Sequence, residues 1–230
     1  AKRESKSSGA TGMRRVGKTT LMRQIFDQIP SQNKTYLDME DPLQRRMFET
    51  ENYESVWNAL QQYNVVAAQK AYIFVDEIQK VPQLPSVAKY LYDHYDVKFF
   101  FTGSSSYYLK NLFSESMAGR KLVFELYPLD FSEFLLFKNV DRKISVKLKE
   151  KADQKNVIRY QKLLPLYREF MMYGGFPEVV LEPDQNRKQE LLRDIFKSYF
   201  ELDVQSLADF SQLSKLRDLI LLLSTRAGSK

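Results

Sequence analysis

Gly12-Met13-Arg14-Arg15-Val16-Gly17-Lys18-Thr19, with Thr20 behind it, fits the spacing G-x-x-x-x-G-K-[ST] at every fixed position. The spacing suits one task, holding the phosphates of a nucleotide. Backbone N–H groups must turn inward around the anion, and glycines at 12 and 17 permit the positive φ and close approach this requires. A helix opening straight after the loop adds unsatisfied N–H groups and the positive end of its dipole. Lys18 supplies a point charge for the β- and γ-phosphates, and the Thr19 hydroxyl is the expected Mg²⁺ ligand. Residues 12–20 together are therefore the candidate nucleotide-binding set.

A second string complements the first. Ala71-Tyr72-Ile73-Phe74-Val75 is a fully apolar strand that runs directly into Asp76-Glu77. A buried strand of a parallel sheet delivers such acids at its C-terminal end, beside the phosphate loop. Asp76 is the expected Mg²⁺ carboxylate, held directly or through water, and Glu77 the residue that polarises an attacking water. Val97-Lys98-Phe99-Phe100-Phe101 reads as the next buried strand and ends at Thr102-Gly103-Ser104-Ser105-Ser106. Ser104 or Ser105, with Ser104 preferred, is the candidate for sensing the γ-phosphate; the bland reading, a Ser-rich helix N-cap, is compatible with that role. Arg120, in a Gly-Arg turn, is a candidate finger for charge building on the transferred phosphoryl group. Its bland alternative is a surface arginine paired with Glu115 or Glu125.

The elements that must position these residues alternate. Leu21, Met22, Ile25, Phe26 and Ile29 recur at helical spacing, and Pro30 closes that helix. A strand at Lys34–Leu37 leads into the acidic run 38–41, and a helix is expected over Phe48–Tyr63, with Trp57 as a packing residue. Val87–Tyr95 is an amphipathic helix that carries His94, the single histidine, as a surface residue. Lys121–Leu126 is a fifth strand and Phe131–Phe137 starts a helix. Residues 139–153 are charged and read as a linker, so the expected domains are 1–138 and 139–230. The second is helical, over Val157–Met172, Lys188–Leu202 and Leu213–Thr225, with a sharp turn at Tyr173–Glu178. One expectation runs against the pattern: Ala1–Gly9 is polar, a poor strand ahead of a phosphate loop.

Composition narrows the classes. At 230 residues, 43% hydrophobic and 28% charged, the chain is an ordinary globular one. Without cysteine it has no disulfide or thiolate chemistry, and a cytoplasmic setting is the default. No apolar run approaches the roughly 20 residues that span a bilayer, and the polar start gives no signal peptide. Leu219–Leu223 is at most a helix core stripe. The net charge of +6 permits a polyanion partner without requiring one.

Taken in order, the motifs resemble a prokaryotic group of AAA-like P-loop ATPases with a C-terminal domain of unknown function. The matching residues are 12–20, Val75-Asp76-Glu77-Ile78-Gln79-Lys80, Thr102–Ser106, Ala118-Gly119-Arg120, Leu126–Leu135 and Tyr173-Gly174-Gly175-Phe176-Pro177-Glu178. The resemblance implies an α/β sandwich with a parallel sheet of the additional-strand class, followed by a small helical domain. It also implies ATP and Mg²⁺ as cofactors, and it supports a functional arginine at 120, acting within its own subunit or on a neighbour. Relatives continue into a winged-helix-like region, so the helical domain is expected to be truncated. The expected activity is ATP hydrolysis that drives a conformational change in an attached domain or partner. The alternative is a slow-turnover ATP-gated switch or DNA-binding regulatory module. Expected partners are ATP, DNA or protein through the C-terminal region, and copies of the chain itself, with no membrane. A GTPase would need an N-K-x-D string, which is absent, and Glu77 suits a water nucleophile better than an acceptor hydroxyl.

Overall fold

The computed structural model describes residues 6–103, 121–140, 157–199 and 213–226. Five parallel strands form one sheet: β1 (Ser7–Thr11), β2 (Lys34–Asp38), β3 (Ala71–Asp76), β4 (Val97–Gly103) and β5 (Lys121–Glu125), in the spatial order β2-β3-β4-β1-β5. β4 therefore lies between the strand that feeds the phosphate loop and the strand that ends in Asp76. That is the additional-strand arrangement expected above.

Helix α1 (Lys18–Gln28) follows the loop, then come α2 (Pro42–Arg46), α3 (Tyr53–Gln61) and α4 (Leu84–His94). Of the helix expected over 48–63 only α3 forms; α2 ends at Arg46, before that span, and a break separates the two. Asn52 makes the break: its side chain accepts from Glu54 N and starts α3 as an N-cap. Trp57 is packed as expected, and His94 is exposed, its ring bonded to the Tyr90 carbonyl.

Strand pleating sorts the side chains onto two faces. Ile73, Val75, Phe99 and Phe101 pack with α3 and α4 residues such as Trp57, Leu60, Val87 and Leu91. Phe74 and Phe100 face the other way, onto Met22, Ile25 and Phe26 of α1. On that face Phe74 stacks on Phe100 at 4.3 Å between ring centroids, and Phe26 meets Phe74 edge-on at 5.2 Å.

The polar opening segment does form a strand. β1 pairs with β4 on one side and β5 on the other, so its backbone bonds come from both neighbours. Its side chains are small, and two of them, Ser7 and Thr11, are fully buried with hydroxyls that find no partner among the described residues. An unmatched buried hydroxyl costs about 1–3 kcal/mol. Thr11→Val keeps the shape and removes the hydroxyl. It should raise stability by about 1 kcal/mol, or roughly 3 °C in Tm. An unchanged or lower Tm in a thermal melt would mean that the hydroxyl is matched.

The chain divides into two units, Ala1–Pro128 and Leu129–Lys230. The division falls ahead of the 138–139 boundary expected from the sequence. The reason is α5 (Phe131–Phe137), whose Phe134 and Leu135 bury against Leu163, Leu166, Phe170 and Val180 of the second unit. α5 starts with a full capping box, Asp130 and Glu133 each bonding the other's backbone N–H. The rest of the second unit comprises α6 (Val157–Tyr173), α7 (Pro177–Leu181), α8 (Gln185–Ser198) and α9 (Leu213–Arg226), with no strand among its described residues. At the turn before α7, a Cβ on Gly175 would lie 2.0 Å from the Leu129 carbonyl oxygen, so only glycine lets these segments touch. On α9, Leu219 and Leu221–Leu223 are about half exposed rather than a core stripe. Among the described residues, no helix is long and apolar enough to cross a membrane.

Candidate functional site

The loop from Gly12 to Gly17 joins the end of β1 to the start of α1. Gly12 sits at φ 143°, with Leu126 at the end of β5 so close that a Cβ would lie 2.1 Å from its carbonyl oxygen. Arg15 is left-handed at φ 62° and Gly17 at φ 98°, and Gly17 is the N-cap residue of α1. Successive turns of this kind aim backbone N–H groups into one concavity. Lys18 is only 5% exposed, and its Nζ donates to Gly12 O at 3.0 Å and Met13 O at 2.6 Å. The ammonium thus ties the helix start back to the loop. Val16 is buried, Met13, Arg14 and Thr19 are half-buried, and Arg15 and Thr20 are exposed.

The acids arrive by strand register. Val75 is level with Phe101 and Thr11 with Gly103, which sets the ends of β1, β3 and β4 at one edge of the sheet. Asp76 lies on the same face as Phe74, the face covered by α1, and is 3% exposed. Three donors surround its carboxylate. Tyr36 OH reaches Oδ2 at 2.7 Å, while the Thr102 hydroxyl and the Glu77 N–H (3.2 Å) both reach Oδ1. A carboxylate offers about four acceptor directions, and these donors use three of them. Burial, then the hydrogen bond to Asp76 and its charge, push the Tyr36 hydroxyl well above its ordinary pKa, so it stays a donor.

Glu77 leaves β3 in the left-handed region, at φ 56° and ψ 47°, an uncommon conformation for a side chain of this size. Its N–H is shared between Asp76 Oδ1 and Thr102 Oγ1, both at 3.2 Å. Its carboxylate accepts from the Gln79 side-chain amide in the 3₁₀ turn Ile78–Lys80. Burial raises the Glu77 pKa above its ordinary 4.5, against the opposing pull of the Gln79 bond and the Lys18 and Arg14 charges.

The structure thus brings Lys18, Asp76 and Glu77 together at the end of the sheet where the loop lies. Ser104, Ser105 and Arg120 lie outside the described residues. Thr102, Tyr36 and Gln79 are neighbours of the acids that sequence reading missed. Thr102 was within reach, because it alternates with Phe100 onto the face of Asp76. Among the described residues there is no cluster of three or more His, Cys, Asp or Glu side chains fit to hold a metal ion. The donors present suit a different arrangement, one hydroxyl at Thr19 and one nearly buried carboxylate at Asp76, with phosphates completing the shell. The concavity between the loop and the N-terminus of α1, lined by backbone N–H groups, suits the phosphates themselves.

Residues 164–230 match a domain of unknown function (DUF8612). An uncharacterized protein of Methanocaldococcus jannaschii, MJ1544, is 33% identical over 213 residues, covering 91% of this chain and 45% of that protein. An uncharacterized protein of Haemophilus influenzae is 29% identical over 223 residues, covering 95% of this chain and 51% of its own length. The chain spans about half the length of the curated relatives it matches. Among solved structures, C. elegans PCH-2 aligns with a TM-score of 0.46 at 11% identity, over 83% of this chain and 60% of that one. Drosophila ORC bound to GC-rich DNA and Cdc6 aligns at 0.41 and 9%, over 86% and 77%. Residues 4–135 match the family described as AAA domain, and with the five parallel strands and the phosphate loop in place, the chain belongs to that family.

Proposed function

We propose that this chain binds ATP with Mg²⁺ at the loop 12–19 and hydrolyses it, and that hydrolysis drives a conformational change in an attached domain or partner. The observation that carries the reading is the convergence of a buried Lys18, a nearly buried Asp76 and a desolvated Glu77 at one edge of the sheet. Gly12, Gly17 and the N-terminus of α1 hold the phosphates through backbone N–H groups, and Lys18 exchanges its loop carbonyls for phosphate oxygens. Thr19 and Asp76 would hold the metal, through a hydroxyl and a nearly buried carboxylate. When bound, Mg²⁺ neutralises charge on the β- and γ-phosphates. Glu77 orients and deprotonates the attacking water, and Thr102 fixes both acids by bonding Asp76 and the Glu77 N–H. Ser104 or Ser105 as the γ-phosphate sensor, Arg120 as a finger, and DNA, protein or a second copy as partner belong to this proposal. So does cytoplasmic placement.

The test is phosphate release from ATP with and without DNA. Mg²⁺-dependent release that Lys18→Ala abolishes supports the reading, and release unchanged in Lys18→Ala overturns it.

A slow-turnover switch is the second reading, favoured by the bond between Gln79 and Glu77. An amide that holds the catalytic carboxylate keeps it from water. Gln79→Ala should then raise turnover about threefold to tenfold without changing ATP affinity, since roughly one hydrogen bond to a charged group is removed. Turnover that falls in Gln79→Ala would instead make Gln79 a support for Glu77, and the faster ATPase would stand.

A further inference from the structure

The second unit holds a cleft of about 440 Å³ that the ATPase reading does not use. Its wall carries three cationic side chains, Lys138, Arg168 and Lys188, against one carboxylate, Glu169, with Met172 and Tyr173 as apolar lining. Lys138 reaches Glu169 Oε1 at 2.9 Å and Lys188 reaches the same oxygen at 3.2 Å. Lys188 is 2% exposed. It also donates to the Val179 carbonyl, and its ammonium lies 5.6 Å from the Tyr173 ring centroid. Arg168 is exposed at the cleft and makes no ion pair among the described residues.

A structural lock accounts for part of this. Glu169 on α6 ties the end of α5 to α8 through the two lysines, and Lys188 closes the end of α7. Burial alone would raise the Glu169 pKa, but the hydrogen bonds and charges of Lys138 and Lys188 prevail and hold it below the ordinary carboxylate range. The lock leaves the charge uneven, however. One carboxylate answers two ammonium groups, one of them buried, and a buried cation is costly unless it is matched. Arg168 adds a third positive charge with a planar fork of donors. The described lining therefore carries a net charge of +2 beside a space that far exceeds a few waters.

We propose that this cleft binds a small dianionic oxyanion, specifically the phosphate group of a phosphomonoester. Such a group carries about −1.5 to −2 at pH 7, which matches the uncompensated charge. Its oxygens are acceptors suited to the cations on this wall, above all to the planar fork of Arg168. Met172 and Tyr173 provide an apolar wall for the organic part of the ligand.

The experiment titrates inorganic phosphate into the full chain carrying Lys18→Ala, which weakens the nucleotide loop as a competing site, and reads heat by calorimetry; the Arg168→Ala variant separates the two sites. One phosphate per chain is expected, with a Kd of about 1 mM or tighter. Arg168→Ala, a surface change that leaves the packing intact, should weaken binding roughly tenfold. Glu169→Gln should tighten it, because the lysines lose their internal carboxylate; a merely structural role for the triad predicts no such gain. If Glu169→Gln does not fold, Arg168→Ala and Lys138→Met decide the matter. Absence of phosphate binding, or equal affinity in the parent and Arg168→Ala, overturns the proposal. Glutarate, a dianion without phosphorus, is the contrast: if glutarate binds and phosphate does not, the phosphate assignment falls.

Discussion

Glu77→Gln should hold ATP as tightly as the natural chain and lose turnover by about 10²–10⁴-fold, the usual contribution of a positioned general base. The amide keeps the side-chain shape and leaves the surroundings of Asp76 intact, because Asp76 and Thr102 are tied to the Glu77 backbone N–H and not to its side chain. The natural enzyme should also show an acid limb in its pH profile. Burial raises the Glu77 pKa, so the working carboxylate form is lost on acidification earlier than for an ordinary glutamate at 4.5. Turnover therefore falls as pH drops through a value above 4.5, and Glu77→Gln should have no such limb. Steady-state phosphate release across pH, with ATP affinity measured separately, checks both statements. A Glu77→Gln chain that hydrolyses at the natural rate would reduce Glu77 to a strand-end acid.

Gly12→Ala should abolish ATP binding and destabilise the first unit by roughly 2–4 kcal/mol. The added Cβ would lie 2.1 Å from the Leu126 carbonyl oxygen and 3.1 Å from its carbon. Both are backbone atoms, and Leu126 N donates to Thr11 O at 2.7 Å, so relief requires parting the ends of β1 and β5. The φ of 143° adds strain that no L side chain accepts readily. The phosphate loop starts at this residue, so its displacement carries the loop with it. A thermal melt and an ATP titration test the two effects together. A variant that melts like the parent and binds ATP would show that the β1–β5 junction yields at little cost.

These two residues illustrate what a reader of the sequence can see. Gly12 and Glu77 belong to contiguous strings whose chemistry is written in local spacing, and the helix over 131–137 announces itself through Asp130 and Glu133. Tyr36 and Thr102 do not. Each meets Asp76 across 40 and 26 residues of chain, respectively, so their roles depend on which strands are neighbours and in what register. Gln79 was in plain view but had no meaning until Glu77 turned into the left-handed region. β1 failed the hydrophobic pattern because a central strand of small residues is held mainly by backbone pairing. The break between α2 and α3 was written in Asn52, a capping residue that the apolar spacing of its neighbours concealed. The division at Pro128 turned on tertiary packing of α5, which composition does not report.

Trp57 gives the first unit a built-in optical reporter. It is the only tryptophan in the chain, it is 3% exposed, and its ring lies nearly parallel to Tyr95 at 3.9 Å. It packs in the cluster of α3 and α4, on the face of the sheet opposite α1 and the nucleotide loop. Its emission should be short in wavelength while that cluster is intact and shift to the red when water reaches the indole. The signal follows loss of the Trp57 cluster without contribution from the second unit, which holds no indole. Stability changes of the first unit from Thr11→Val or Gly12→Ala can therefore be followed by fluorescence alone, with no label added.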